Sequence, residues 1–274
     1  MPVSGPTVVR RQLGRRLRRL REEAQKTELQ VEDAKLVSRT KLWRIESGKT
    51  AVKVPDVRAL CWFYGVGPEL TDALASMAVG TSDQGWWEDY GDVVPDWFRL
   101  YVGLESATSL IRYYGDELVP GLLQTEDYAR AVYLAAQNRD SEAIERHVVL
   151  RMERQNALAR RDPPPRMMAV LGAGVLARQV GGGAVMAAQI DALQRLNKLD
   201  HVDIRVLDWD IGAHAAMVGA FHLMDFPDPE DPDVVYLEAQ VGGRYLEKTA
   251  EVDEYRRIFD LIYEQAVPIE RYKL

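Results

Sequence analysis

Four hydrogen-bonding side chains cluster in a short segment near residue 40, at Arg39, Thr40, Lys41 and Arg44. The arginine guanidinium presents a planar fork of donors that matches guanine O6 and N7, and threonine can touch a thymine methyl group or a phosphate. The segment begins after Ser38, a good helix N-cap, and ends at Gly48, a favoured C-terminal glycine. Leu42 and Ile45 lie three residues apart and can face a core, so the polar residues project from the other side. The spacing therefore predicts a helix with one face in a core and a row of hydrogen-bond donors on the other.

A second polar set surrounds this helix and suits phosphate oxygens, which position a protein on a duplex without specifying its sequence. The set comprises Thr27, Ser38, Lys49, Lys53, Arg15 and Arg18. For every cation in both sets the alternative interpretation is a solvated surface charge. Trp43 lies between the base-facing residues and the core, and we expect it to pack rather than to contact a base.

Charge is divided unevenly along the chain. Residues 1–78 contain 15 Lys and Arg against 9 Asp and Glu, a balance of +6, whereas residues 79–274 have a balance of −13 and the whole chain −7. A basic first part and an acidic second part predict two domains with different partners. We predict an N-terminal domain over 1–78, a linker over 79–90 and a C-terminal domain over 91–274.

No arrangement of residues typical of catalysis or of a cofactor site is found. Walker loops, His-Glu-x-x-His, Gly-x-Ser-x-Gly and dinucleotide fingerprints do not occur. The single cysteine, Cys61, excludes an intramolecular disulfide and a cysteine-rich zinc module, and histidines 147, 201, 214 and 222 lack ligand spacing. We interpret glycines 181–183 as a loop and the acidic residues of 225–233 as a solvated loop rather than a calcium site. The prediction is therefore a protein that is not an enzyme and holds no cofactor or metal.

Aromatic residues are dense just after the predicted linker begins. The candidates within this stretch of 29 residues are Trp86, Trp87, Trp97, Phe98, Tyr101, Tyr113 and Tyr114. Such a cluster can form a small-molecule pocket or a partner-binding face. The alternative, which we favour, is a hydrophobic seal between the linker and the C-terminal domain.

Apolar periodicity predicts that the N-terminal domain is all-α with five helices. The first is an arginine-rich amphipathic helix around 10–21, and the others cover 28–35, 39–47, 54–64 and 69–78. Thr27 and Gln30 have the spacing of a capping box, and Pro55 opens the fourth helix.

Thr27, the run SRTKLWRIESGK at 38–49 and VPDVRALCWFYGV at 54–66 together resemble the helix-turn-helix of the XRE group, relatives of the phage Cro and CI repressors. The resemblance covers residues from about 9 to 78. It implies that the helix after Ser38 lies in the major groove with its N-terminal residues at base edges, which makes Arg39, Thr40, Lys41 and Arg44 the expected base contacts. It also implies a buried ion pair between Arg21 of the first helix and Glu46 of the third.

The second helix departs from the pattern of that group. Glu32 stands where a small apolar residue is usual, Lys35 where a leucine is usual, and Leu36 in place of the turn glycine. We expect the helix to compensate by turning Val31, Ala34 and Leu36 inward.

Helices and strands alternate irregularly in the C-terminal domain. Helices are predicted at 100–110, after Thr125, at 141–161, 184–199 and 251–266, and strands at 111–114, from 167, at 202–206, 219–226 and 234–241. This order favours an α+β domain with a mixed sheet, so the fold class is α+β overall.

The C-terminal domain also resembles a known group. WWEDYGDVVPDWFRLYVGLE, ELVPGLLQTEDYARAV, GGGAVMAAQIDAL, DPDVVYLE and YLEKTAEVDEYRRIFDLI, from about Trp86 to Ala266, are similar to a large set of actinobacterial regulators. In these an XRE-type helix-turn-helix precedes an antitoxin-like domain of unassigned function. The resemblance implies a DNA-binding transcriptional regulator paired with a small protein encoded by a neighbouring gene.

The leading expectation is thus a sequence-specific regulator that binds double-stranded DNA as a homodimer on a pseudo-palindromic operator. Its acidic C-terminal domain would dimerise and bind a small protein partner. Two alternatives stay open: a small-molecule sensor with an aromatic pocket, and, more weakly supported, an enzyme fused to a DNA-binding domain. No segment has the length of a membrane span or the form of a secretory signal, so we expect a cytoplasmic protein associated with the nucleoid when bound to DNA.

Overall fold

The computed structural model describes residues 6–81, 96–136, 140–227, 231–240 and 242–272. The chain divides into two compact units, Met1–Asp89 and Tyr90–Leu274, which we call the head and the body. Within the described ranges no helix is both long and apolar enough to cross a membrane.

The described part of the head is entirely helical, which confirms the all-α prediction. Its helices are α1 (Pro6–Glu23), α2 (Glu28–Asp33), α3 (Arg39–Glu46), α4 (Val54–Tyr64) and α5 (Pro68–Thr81). Leu13 and Leu17 of α1, Leu42 of α3, Leu60 of α4 and Leu74 of α5 are all fully buried in one hydrophobic core. Amphipathic periodicity therefore determines how the head packs.

Helix ends in the head follow the capping signals. The Thr27 hydroxyl accepts from Gln30 N (3.2 Å) and the Gln30 amide oxygen accepts from Thr27 N (2.9 Å), which confirms the capping box before α2. Gly65, with φ +75°, ends α4 in the left-handed conformation that glycine adopts without strain. α5 continues to Thr81, three residues into the segment 79–90 that the sequence predicts as a linker. Residues 82–90 of that linker lie outside the described residues.

The body combines helices with a single mixed sheet. Its helices are α6 (Asp96–Ala107), α7 (Glu126–Ala135), α8 (Ser141–Ala159), α9 (Ala173–Ala177), α10 (Gly183–Leu196) and α11 (Thr249–Gln265). Its strands are β1 (Leu110–Gly115), β2 (Arg166–Gly172), β3 (Val202–Leu207), β4 (Phe221–Asp225), β5 (Val234–Glu238), β6 (Gly243–Leu246) and β7 (Val267–Pro268). The α+β prediction is confirmed.

The seven strands lie in the order β6-β5-β4-β1-β2-β3-β7. β1, β2 and β3 are parallel neighbours, with Ile111 opposite Met167 and Met167 opposite Val202. β4, β5 and β6 extend the sheet antiparallel from β1, and β7 pairs antiparallel with β3. The connections between the parallel strands run through α7 and α8 and then through α9 and α10, as parallel pairing requires.

Both faces of the sheet are covered. Tyr113, Ala169 and Ile204 belong to the core on one face, with buried residues of α7 and α10. Tyr114 and Val170 belong to the core on the other face, together with buried residues of α11. Because successive strand residues point to opposite faces, this alternation follows directly from the strand pattern.

Candidate functional site

The outward surface of α3 is the candidate nucleic-acid interface. The Ser38 hydroxyl accepts from Lys41 N (3.3 Å) and starts the helix, and Leu42 and Ile45 are buried beneath it. The side chains predicted to contact bases, Arg39, Thr40, Lys41 and Arg44, are all exposed. One face of α3 therefore anchors the helix to the head core, and the other presents three cations and a hydroxyl to solvent.

Close backbone packing fixes α3 against α1. A Cβ atom at Gly14 would lie 2.3 Å from the Ile45 carbonyl oxygen, so only glycine allows this approach. Gly48, with φ +67°, follows α3, and its backbone lies against the buried Arg11 side chain. The orientation of α3 is thus set by contacts that no larger residue at position 14 would permit.

The ion pair implied by the resemblance joins the same two helices. Arg21 Nε lies 2.7 Å from Glu46 Oε1, and Nη2 lies 2.9 Å from Oε2, a bidentate geometry. The Arg21 side chain is 10% exposed and that of Glu46 6% exposed. Arg21 Nη1 also donates to the Lys26 carbonyl (3.0 Å), and its hydrogen bond with Glu46 raises the pKa of Arg21. The pair therefore ties α1, the turn after it and α3 together.

The turn between α2 and α3 differs from the sequence prediction. Lys35, not Leu36, takes the left-handed conformation, with φ +58°, so the position of the missing turn glycine was misassigned by one residue. Val31 is buried and Leu36 partly buried as expected, but Ala34 is exposed, and Val37 fills the core in its place. The helix ends two residues before the predicted end, which turns Ala34 toward solvent.

Two acidic residues that the sequence interpretation did not assign to the site flank Arg39. The Glu32 carboxylate accepts a hydrogen bond from Arg39 N (3.1 Å), and Glu28 Oε2 lies 4.0 Å from Arg39 Nε. With Thr40 and Trp43 they line a shallow cleft of about 470 Å³. The i, i+4 spacing of the two glutamates on α2 was the available signal, since it places them on one side of the helix.

Other members of the predicted contact sets are engaged within the head. Lys41 Nζ lies 2.7 Å from Asp56 Oδ2 of α4. Trp43 is half exposed, which differs from the packing role expected for it, and Lys49 Nζ lies 4.2 Å from the centre of its ring. Of the three cations predicted to contact bases, Lys41 is thus held by an ion pair to α4, whereas Arg39 approaches the glutamates of α2.

The predicted phosphate contacts are distributed over several helices. Thr27 and Ser38 are exposed and cap α2 and α3, and exposed Lys53 is the residue before α4. Arg18 is exposed and paired with Glu22 (2.8 Å), whereas Arg15 is half-buried. The head thus presents part of this set to solvent around α3 and holds Arg15 against its own surface.

The aromatic residues predicted to cluster in the body do not all lie together in the structure. Trp86 and Trp87 lie outside the described residues, as does the side chain of Trp97. Phe98 stacks on Tyr101 (5.1 Å between centroids), and the Tyr101 hydroxyl lies 3.1 Å from His222 Nδ1. Tyr113 packs on His222 at 4.8 Å, while Tyr114 points to the opposite face of the sheet, toward His214.

Tyr236, which no sequence signal singled out, completes this cluster. Its ring lies 4.6 Å from that of Tyr101, and its buried hydroxyl makes no hydrogen bond within the described part of the chain. Burial and the nearby Arg154 guanidinium lower the pKa of His222 to about 3, so this ring is neutral at physiological pH. The rings of Tyr101, His222 and Tyr236 pack as closely as side chains do in a protein core.

A buried ion pair supports the cluster. Arg154 of α8 donates to both carboxylate oxygens of Glu105 of α6 (2.9 and 2.6 Å), and both side chains are almost wholly buried. The Arg154 guanidinium lies 5.0 Å from the Phe98 ring centre and 5.5 Å from that of Tyr101. Two oppositely charged groups and two rings thus join α6 to α8.

The acidic residues Asp225, at the end of β4, and Asp233, before β5, are not simply solvated, which corrects the sequence interpretation of this segment. Asp225 forms an ion pair with Arg112 of β1, and Arg256 of α11 reaches Asp225 (3.2 Å) and Asp233 (2.5 Å). Burial and the neighbouring Asp225 carboxylate raise the pKa of Asp233 to about 6. Among the described residues no group of three or more histidine, cysteine or acidic side chains could hold a metal ion.

Comparisons with known proteins assign both units. Residues 98–271 match the family model described as domain of unknown function (DUF5753), and residues 12–74 match the model of a helix-turn-helix domain. Searches of the curated proteins and of the solved structures found no match.

Proposed function

The chain belongs to the DUF5753 family and has a helix-turn-helix domain in front of that region, and from this we propose that it is a sequence-specific transcriptional regulator. On the resemblances given above, we assign it to the XRE-type actinobacterial regulators with an antitoxin-like C-terminal domain. It would act in the cytoplasm on double-stranded DNA.

The observation that carries the proposal is the outward face of α3. Arg39, Thr40 and Arg44 are exposed on a helix whose opposite face is held by buried Leu42 and Ile45. A helix of this kind docks in the major groove with its N-terminal residues at base edges. The glutamates beside Arg39 lower the local positive charge, which favours recognition through specific donors over general attraction to phosphate.

Two heads in a homodimer would read half-sites about 34 Å apart on a pseudo-palindromic operator, because one turn of the duplex separates equivalent groove positions. Dimerisation is assigned to the body, which we propose to be an interaction module and not an enzyme. Its acidic balance favours a basic protein partner, and the small product of a neighbouring gene is the candidate.

DNA recognition is tested by selecting bound sequences from a random library and titrating them in gel shifts. Arg39→Ala should weaken operator binding by roughly 5- to 150-fold and relax preference at one base pair. Arg58→Ala is the matched control, because Arg58 is similarly exposed (55% against 58% for Arg39) but lies on α4. Equal affinity and equal base preference for both variants would contradict the assignment of Arg39.

Lys49→Ala should weaken binding to all DNA sequences alike and reduce the slope of log affinity against log salt by about 1, since a phosphate contact carries no base information.

Partner binding is tested by co-purifying the chain with the product of the neighbouring gene and sizing the complex. Failure of the pair to migrate together would remove the partner from the proposal and leave DNA recognition intact.

A further inference from the structure

A segment of the body crosses the edge of the sheet where the three parallel strands end. This segment, residues 208–220, which we call the strap, leaves β3 after Leu207 and enters β4 at Phe221. β3 is separated from β4 by β2 and β1, so the strap passes over the carboxyl ends of both. In sheets of this kind that edge is where binding surfaces concentrate.

The strap is held down at defined points. The Trp209 indole lies against Gly174, since a Cβ atom at Gly174 would come 3.2 Å from the ring. His214 Nε2 lies 3.4 Å from the Tyr114 hydroxyl at the end of β1, and Ala216 is buried in the core beside it. These contacts hold the strap in one place, so the side chains it exposes form a fixed surface.

That surface carries more exposed apolar side chains than is usual for a loop in contact with solvent. Trp209 is 69% exposed, Met217 is 65% exposed, Val218 is fully exposed, and Leu118 of the neighbouring loop is partly exposed. Tryptophan and methionine are enriched in protein interfaces, and tryptophan is the commonest residue to dominate binding energy. Exposed single hydrophobic residues need no explanation, but several on one sheet edge do.

Acidic residues lie close to Trp209 on this edge. They are Asp208 and Asp210 of the strap and Asp116 and Glu117 of the loop after β1. The Asp116 carbonyl and the Trp209 ring both lie 3.2 Å from the same Cβ position at Gly174, so loop and strap are adjacent. Within the described part of the chain, Glu117 pairs with Arg178, whereas Asp116, Asp208 and Asp210 form no ion pair.

We propose that this edge, the apolar strap with its carboxylate rim, is the docking surface for the small basic protein partner, with Trp209 as the central anchor. The inference rests on the proposed function, which supplies the partner. A second copy of this chain fits less well, because in a two-fold dimer the same patch faces itself and the carboxylates would oppose one another. The partner's matching face would carry an aliphatic pocket bordered by lysine or arginine.

The test is a calorimetric titration of the full-length chain with the purified product of the neighbouring gene. Trp209→Ala should raise the dissociation constant by about 30-fold or more, which is the loss of affinity typical when a central interface residue is truncated. Trp62→Ala is the control, since Trp62 is equally solvent-facing (78% exposed) but lies on α4 of the head. Val218→Asn provides a second variant, which cannot disturb packing because Val218 is fully exposed; it removes the apolar contact without adding a charge and should also weaken binding.

The rim is tested by the double variant Asp208→Asn and Asp210→Asn, which should lose affinity several-fold and bind with a weaker salt dependence. The control is the double variant Asp260→Asn and Glu264→Gln, which removes the same charge from the exposed side of α11. This variant should bind the partner like the unmodified chain.

If the unmodified chain binds and the Trp209 and Val218 variants bind equally well, the docking surface is refuted while the proposed partner stands. If the unmodified chain does not bind, both the partner and its surface are refuted.

Discussion

Replacing Glu46 with glutamine should destabilise the head far more than the equivalent change at an exposed pair. Glu46 and Arg21 are 6% and 10% exposed, and their closest contact is 2.7 Å. Removing the carboxylate charge leaves the buried Arg21 guanidinium with only the exposed Glu22 carboxylate nearby, at 4.0 Å, and loss of a buried counter-ion typically costs about 3–5 kcal/mol. Because the glutamine oxygen can still accept from Arg21, we expect about 3 kcal/mol, or roughly 100-fold in the equilibrium for opening.

The chain offers a matched control in Arg18 and Glu22, whose contact is almost as short at 2.8 Å but whose side chains are 62% and 54% exposed. Solvent screens such a pair, so Glu22→Gln should cost about 0.5 kcal/mol or less. Hydrogen exchange followed by mass spectrometry on the full chain reports protection of α1 and α3 separately from the body. We expect about 100-fold faster exchange in these helices for Glu46→Gln and little change for Glu22→Gln.

Equal effects of the two changes, within about 0.5 kcal/mol, would show that burial does not determine the strength of this pair and would refute the reasoning. A double variant, Arg21→Met with Glu46→Leu, separates charge from packing. Apolar replacement of both partners should restore most of the lost stability, because no charge is then buried alone.

Three further predictions concern the turn between α2 and α3, the outward surface of α3, and the body. Lys35→Gly should raise the free energy of unfolding by about 0.5–1 kcal/mol, because glycine adopts the left-handed conformation without strain. Leu36→Gly should lower the free energy of unfolding, because it removes core contacts. Thermal unfolding of the two variants distinguishes these outcomes. Glu32→Gln removes a negative charge beside Arg39 and should increase affinity for random-sequence DNA several-fold in gel shifts, and unchanged affinity would argue against groove docking. His222, with its pKa lowered to about 3, stays neutral in the folded body while the unfolded chain takes up a proton below about pH 6.5. Protonation of His222 therefore costs the folded body no stability above that pH, and the free energy of unfolding falls as pH drops from about 6.5 toward 3. His222→Phe should reduce this fall in denaturant titrations between pH 7 and 5. If the pH dependence of the variant is unchanged, the fall comes from other groups.

Local signals in the sequence were sufficient for the elements of the candidate site. Caps at Thr27 and Ser38 and the spacing of Leu42 and Ile45 predicted where α2 and α3 begin and which face of α3 is buried. These features depend on residues within one or two turns of each other, so periodicity and capping chemistry capture them. The strands of the parallel trio were recognisable for the same reason.

Short or unpatterned elements were missed. β6 has four residues and β7 two, and each is a strand only because it pairs with a neighbour already in the sheet. α9 follows β2 within an apolar run whose periodicity does not distinguish strand from helix. The order of the strands likewise depends on pairing between segments far apart in the chain, which no local pattern encodes.

The amino-acid sequence by itself determined a helical, basic head, an acidic α+β body and a helix α3 with its polar face outward. Only the tertiary structure decided that Lys35 and not Leu36 makes the turn, that Asp56 engages Lys41, and that Trp209 is left exposed at the sheet edge. The physical reason is range. Capping and amphipathicity act between residues a few positions apart, whereas these outcomes depend on how separate elements pack, and the side chains that meet there are brought together by the fold.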